Sequence, residues 1–315
     1  MSGLKYFLLR FLYDFIGIIP FVILAAGIYA VPPFERGYFA DDQSLKYPYR
    51  DSTVPSIYLL TVAPLLAILI IVIIELLRAR NYGFSSKYNG VYLVAFCLYK
   101  FLFLLLFGYA VTASFVHVGK IVAGELRPHF HDVCNPSPVT TSPYGYVTNF
   151  TCLGSDQKRI NEMRLSFPSG HSAYSMYPAM FIAVYIHYRM PDIAVGSALQ
   201  AFIQVCGITA AFYVGLTRIT DNKHHPHDVL VGFIIGAAVA IFTVSFYSLL
   251  APFCLFLLLL SVFSQHLESA NHLPTVRYAT DVKEFDEVEE AGEERSLISW
   301  SDSKEVIMYT KEKSP

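Results

Sequence analysis

Three short polar stretches carry the residues of this chain that can do chemistry. The first runs from Lys120 to Pro128 and reads KIVAGELRP. If it is helical, Lys120 and Arg127 are seven apart, two turns along one face, with Pro128 ending the helix. Two cations on one face can clamp a phosphate, arginine through a bidentate fork and lysine as a point charge. Alone, the pattern is also that of an ordinary basic stripe at an interface.

The second stretch is FPSGH, Phe167 to His171. Ser169 suits a helix N-cap and Gly170 lets a ligand approach the backbone closely. The free amides and positive dipole end of the helix that follows make an anion site with His171 at its rim. The plain alternative is a capped helix with an interfacial histidine. The third stretch, TRITDNKHHPHD, spans Thr217 to Asp228. Arg218 supplies a third cation. His224 and Asp228 are four apart, so a helical turn would bring Asp228 to the Nδ1–H of His224 and leave Nε2 with a free lone pair. Pro226 suits the first turn of a helix. His224, His225 and His227 do not share one helical face, so no metal site is expected from them.

Such groups need a scaffold, and the composition says which solvent it lives in. Apolar residues make up 54% of the 315 and charged residues only 15%, against roughly a quarter charged in soluble domains. Six apolar runs reach the roughly 20 residues needed to cross a bilayer: Phe15–Val31, Pro55–Leu77, Val91–Val118, Ser172–Tyr188, Ile193–Leu216 and Val229–Val262. None alternates as a strand would. Lys5 and Arg10 before the first run and small residues after it resemble a signal peptide, but the run is too long for a signal core and is expected to be retained. The fold class expected is all-α, a polytopic membrane protein with six transmembrane helices. The three polar stretches all fall at one rim of it, and the domain covers residues 1–263. Lys100 lies inside the third run, and snorkelling to the inner surface is its expected fate.

Six spans put both termini on one side. Counting basic residues does not say which: Lys5, Arg10, Arg78, Arg80, Lys87 and Arg189 fall on one side, and Arg36, Lys46 and Arg50 on the other. Asn149-Phe150-Thr151 is an N-glycosylation acceptor, usable only outside the cytosol. Cys134 and Cys152 in the same loop are candidates for a disulfide. Together they place the loop Gly119–Pro168 outside and both termini in the cytosol. Cys97, Cys206 and Cys254 fall in spans and are expected to pack as small apolar residues. Residues 264–315 hold six Lys/Arg and twelve Asp/Glu, a net of −6, with no periodic apolar face; an acidic, disordered cytosolic tail is the expectation.

The three stretches, in this order, resemble the motif triplet K-x6-R-P, P-S-G-H and S/T-R-x5-H-x3-D of the type 2 phosphatidic acid phosphatase superfamily, and are most similar to its lipid phosphate phosphatases. The segment Glu35–Pro55 also looks like that group; Thr217 replaces the usual Ser and keeps the hydroxyl. The resemblance implies a phosphoric monoester hydrolase acting on phosphatidate, lysophosphatidate, ceramide 1-phosphate or sphingosine 1-phosphate. It implies His224 as the nucleophile forming a phosphohistidine, Asp228 as its orienting partner and His171 as the general acid. Lys120, Arg127, Arg218, Ser169 and Gly170 would hold the phosphoryl oxygens. It also implies the plasma membrane and self-association. Three cations and a helix N-terminus can stabilise a phosphoryl transition state without a metal, so no metal or cofactor is expected. No nucleotide-binding glycine pattern occurs, and no nucleic-acid partner is expected.

Other readings remain open at this stage. A silent scaffold relative would have lost motif residues, which are all present. A lipid phosphotransferase could share the covalent intermediate. Vanadium haloperoxidases share the motifs but are soluble. A transporter would place its ionisable residues near the midplane rather than at one rim.

Overall fold

The computed structural model describes residues 2–27, 31–82, 90–137, 144–190 and 196–247. Six long helices follow one another: α1 (Ser2–Gly27), α2 (Ser56–Tyr82), α3 (Gly90–Ala123), α6 (Gly170–Arg189), α7 (Ser197–Thr220) and α8 (Pro226–Tyr247). Two short helices, α4 (Phe130–Cys134) and α5 (Gln157–Glu162), lie between α3 and α6, so the long loop of the sequence reading carries structure of its own. A two-residue antiparallel pair, β1 (Tyr38–Phe39) with β2 (Tyr146–Val147), is the only strand pairing in a sheet among the described residues. The sixth apolar run beyond Tyr247, Cys254 and the acidic tail 264–315 lie outside the described residues.

Helix α6 is the axis of the bundle and packs on α2, α3, α7 and α8. Its Tyr177, Phe181, Tyr185 and Ile186 are fully buried. A helix surrounded by helices needs no lipid-facing surface, which is why α6 can carry Ser172, Ser175 and the tyrosines. The outer helices show the opposite character. Ile57, Leu60, Leu65, Leu69, Ile73 and Leu76 of α2 are all exposed, as are Leu199, Phe202 and Val205 of α7. So much bare apolar surface is not carried in water. Four helices, α2, α3, α7 and α8, are long and apolar enough to cross a membrane. The chain is an integral membrane protein. Cys97 is buried as expected, but Cys206 stands exposed on the outer face of α7.

Close approach of α8 to α6 rests on Gly232 and Gly236, one turn apart. A Cβ at Gly232 would lie 2.5 Å from the Ser169 carbonyl oxygen, and one at Gly236 2.6 Å from that of Ala173. Small residues at this spacing let two membrane helices touch backbone to backbone. The contact sits beside the N-terminus of α6.

Away from that end, Glu75 of α2 is buried and fully engaged. It accepts hydrogen bonds from Tyr185 Oη at 2.7 Å, Arg189 Nε at 2.9 Å, Arg189 Nη2 at 3.0 Å and Arg78 Nη1 at 3.2 Å. Arg78 and Arg189, which charge counting set on one side of the membrane, are both buried against Glu75, and the Arg189–Glu75 pair ties α6 to α2. Lys100 is also buried, at 8% exposure, and does not snorkel out.

The loops at the other end have a small apolar core of their own, with Tyr38, Leu126, Phe130, Val147 and Met163 at its centre. Cys134 and Cys152, 18 residues apart, are joined there by a disulfide. Asn149 is exposed on the same cap.

Candidate active site

The N-terminus of α6 and the connection from α7 to α8 meet the segment after α3. Helix α3 ends at Ala123, earlier than the sequence suggests. Gly124 adopts a positive φ of 52° and its N–H bonds back to the Lys120 carbonyl at 3.2 Å. A side chain there would also collide with the Phe34 backbone, so only glycine fits. Arg127 thus stands on an extended segment, not two helical turns above Lys120. That segment is tied down by Arg127 N–H to the Met163 carbonyl at 2.8 Å and by Ser166 N–H to the Glu125 carbonyl at 3.1 Å.

Ser169 caps α6 as expected: its hydroxyl oxygen accepts from Ser172 N–H at 3.4 Å and from Ser172 Oγ at 3.0 Å. Its own N–H donates to the Asp228 carbonyl at 3.0 Å, joining the second motif to the third. A Cβ on Gly170 would meet protein atoms only at 3.4 Å or more. Packing therefore leaves room at this amide.

The third motif begins with the fully buried Arg218. Its Nη2 donates to Asp221 Oδ2 at 2.7 Å and its Nη1 to Ser52 Oγ at 3.2 Å. The chain then turns through Asn222 at φ 55°, a conformation asparagine tolerates better than most residues. The N–H groups of Lys223 and His224 both point back to the Arg218 carbonyl. His224 therefore precedes α8, which opens on Pro226 as expected.

The orientation of His224 differs from the sequence reading. Its Nδ1 lies 2.7 Å from the Ser166 carbonyl oxygen and 3.6 Å from Asp228 Oδ2, the latter beyond hydrogen-bonding range. The reason is that His224 lies outside the helical turn that was to pair it with Asp228. Asp228 acts one step removed: its Oδ2 accepts from Ser166 Oγ at 2.6 Å and from His225 N–H at 2.8 Å. A carbonyl can only accept, so Nδ1 carries the proton and Nε2 keeps its lone pair. Burial, reinforced by Arg127 and Lys120 and opposed by Asp228, pushes the His224 imidazolium down to about 4. His171, one residue before the spanning stretch of α6, bonds through Nε2 to the Val54 carbonyl at 3.2 Å. Burial, with Arg218, His224 and Lys120 nearby, lowers it to about 3. The bonds Ser169 N–H to Asp228 O, Ser166 N–H to Glu125 O and His224 Nδ1 to Ser166 O draw the segments that carry Arg127, His171, Arg218 and His224 about one centre.

The loop between α1 and α2 closes over this centre, a role the sequence reading did not give it. Thr53 binds Asp221 through its N–H at 2.8 Å and its hydroxyl at 2.6 Å. Asn222 Nδ2 donates to the Pro48 carbonyl, and Tyr49 N–H to Asp132. The Tyr49 ring carries Lys223 Nζ 3.4 Å and the Arg159 guanidinium 3.8 Å from its centroid. Lys223, pushed down to about 8 chiefly by burial, then by Arg127 and Arg159, adds a cation at a position that the third motif leaves unspecified. Arg127 meets Glu162 at 3.5 Å, while its Nε is buried without a hydrogen-bond partner. Ser166 also went unnoticed: its backbone carbonyl does the work, and no side-chain pattern reports that.

Two spaces flank the centre. Lys120 lines a cavity of about 950 Å³ bounded by the loop between α1 and α2 and by α5, with Lys158 and Arg164 on its wall. On the other side an apolar groove of about 460 Å³ starts at Val54 and runs between α2, α6 and α7.

Comparison with known proteins shows the family. The model of the PAP2 superfamily matches residues 101–251. Phospholipid phosphatase 1 of Rattus norvegicus is 40% identical over 72% of this chain and 79% of its own length. Phospholipid phosphatase 2 of Mus musculus is 36% identical over 73% and 81%. A putative phosphatidate phosphatase of Drosophila melanogaster is 32% identical over 69% and 62%. No solved structure matches. The fold and site define a membrane-embedded phosphoric monoester hydrolase. The chain belongs to the lipid phosphate phosphatases of the PAP2 superfamily.

Proposed function

We propose that this lipid phosphatase hydrolyses lipid phosphate monoesters through a phosphohistidine on His224, without a catalytic metal. The observation that carries the reading is the Ser166 carbonyl on His224 Nδ1, which leaves Nε2 free to attack phosphorus. Lys120, Arg127 and Arg218, with Ser169 and the amides at Gly170, receive the phosphoryl oxygens. As the phosphorus–oxygen bond breaks, His171 gives its proton to the departing lipid alkoxide. Water then attacks the phosphohistidine, with His171 as base, releasing inorganic phosphate. Burial first, and the surrounding cations second, hold both histidines towards the neutral form; a phosphate dianion opposes the field of those cations and favours the proton His171 must donate.

The substrates proposed are phosphatidate, lysophosphatidate, ceramide 1-phosphate and sphingosine 1-phosphate, with the chain seated in the groove between α2, α6 and α7. We read all six long helices as spans and the catalytic end as extracellular or luminal, with both termini cytosolic. Exposed Asn149 and the Cys134–Cys152 bond on the catalytic cap support that orientation. The plasma membrane and self-association complete the proposal.

Phosphate release from lysophosphatidate in detergent micelles, with excess chelator, tests the reaction against His224→Asn. Release lost in the variant supports the mechanism. Equal rates remove His224 from it, and no release by either protein favours a silent scaffold. Glycosidase sensitivity of a chain carrying Asn149, lost in Asn149→Gln, tests the orientation.

A further inference from the structure

Beside the nucleophile stands a second constellation, of which the phosphoryl chemistry uses only Asp228. Glu125 Oε1 lies 2.8 Å from His227 Nε2 and 3.7 Å from His225 Nδ1. Asp228 Oδ1 lies 3.2 Å from His227 Nε2, and its Oδ2 lies 3.5 Å from His225 Nδ1. One donor atom from each of the four residues falls within 4.8 Å of all the others. A tetrahedral ion with ligands at about 2.0–2.2 Å sets them about 3.3–3.5 Å apart. The observed separations bracket that edge.

Two of these atoms are otherwise unexplained. His225 Nδ1 and Asp228 Oδ1 are both buried and lack a hydrogen-bond partner, and Asp228 is wholly buried. Leaving such groups unpaired is costly. The two imidazole rings lie nearly parallel, 5.3 Å apart at 13°, presenting nitrogens to the same space. A cavity of about 370 Å³, with Glu125, His225, His227, Arg36 and Asp42 on its wall, gives an ion a way in. Two imidazoles with two carboxylates suit zinc and its first-row neighbours rather than magnesium or calcium, which favour all-oxygen sets. The spacing argument against a metal applied to His224, His225 and His227; here Glu125 and Asp228 take the place of His224.

We propose that Glu125, His225, His227 and Asp228 form a binding site for a divalent transition-metal ion of the zinc class, and that its occupation slows turnover. Asp228 is the link. An ion on Oδ1 pulls the carboxylate towards Glu125 and weakens its hold on Ser166, whose carbonyl orients His224. The effect on turnover rests on the proposed phosphatase mechanism; the binding does not.

Cobalt titrated into the metal-stripped full chain in detergent tests the site by its visible d–d absorption. One ion per chain is expected, displaced by zinc. His227→Ala and Glu125→Gln should each weaken zinc at least ~10-fold, leave activity in chelator unchanged, and raise the zinc concentration needed for inhibition by the same factor. Absence of the absorption, or equal affinity in both variants, overturns the site. Zinc inhibition unchanged in the variants overturns the link to turnover. If the chain binds cobalt through His227 yet releases no phosphate, the metal site stands and the proposed reaction fails.

Discussion

The carbonyl oxygen of Ser166 sits 2.7 Å from Nδ1 of His224, while the hydroxyl of the same serine sits 2.6 Å from Asp228. One residue thus passes the influence of a buried carboxylate to the His224 imidazole. Ser166→Ala keeps the carbonyl but loses the tether, and kcat should fall ~10-fold with KM little changed. Asp228→Asn should cost ~100-fold, in line with the weight of partners that orient a functional histidine. Stopped assays over a range of lipid mole fractions separate kcat from KM; a wild-type rate for Ser166→Ala would show that the serine transmits nothing.

His171 should matter in proportion to how badly the leaving group needs a proton. His171→Ala is expected to slow an alkyl lipid phosphate by ~10²–10⁴-fold. It should slow p-nitrophenyl phosphate, whose phenolate leaves unaided, far less. A uniform loss across both substrates would make His171 a phosphate binder instead.

Acid should unfold the cap before it affects the bundle. Burial holds His129 and His224 down to about 4 in the fold, against about 6.5 unfolded. The unfolded chain therefore takes up more protons below 6.5. Stability is complete above that pH and declines as pH falls from 6.5 towards 4. Melting temperatures in detergent across this window should drop, and His129→Gln should flatten the curve; an unchanged slope counts against this account.

Thr53→Val removes one bond between the α1–α2 loop and Asp221 without altering bulk. Loss of a hydrogen bond to a charged group is worth about 1.5–3 kcal/mol. If the loop closes over the substrate, KM should rise ~10-fold or more while kcat holds. A change in kcat alone would place Thr53 in the chemistry.

Gly236→Val should disrupt the chain, because its side chain must enter the backbone of α6 at Ala173. Overpacking of this kind costs about 1–3 kcal/mol or more, read as a lowered melting temperature or lost expression. Gly207→Ala on α7, with nothing within 4 Å, is the control and should be tolerated.

Much of this was written in the residues. Long apolar runs marked the helices, since lipid imposes length and hydrophobicity directly. The Ser169 cap, the start of α8 at Pro226 and the grouping of three motifs were legible for the same reason: each is a local signal. What escaped depended on groups distant in sequence or on the backbone. Gly124 ended α3 before Arg127, and a glycine in a helical pattern does not announce a positive φ. Ser166 displaced Asp228 from His224 through a carbonyl that every residue possesses. Arg78 and Arg189 were counted only as charges on one side, and nothing local marked Glu75 as the partner that gathers them. Thr53, Tyr49 and Lys223 joined the centre only when a loop from before α2 folded across it.

The groove that leaves Val54 runs between α2, α6 and α7, along the apolar length of the bundle. A hydrocarbon tail lying there can stay among its neighbours while its head is processed, and the neutral alcohol can drift off without crossing water. The rate then follows crowding in a two-dimensional sheet rather than molarity in a volume. Dilution with inert lipid should slow the enzyme even when the total amount of substrate per litre stays fixed.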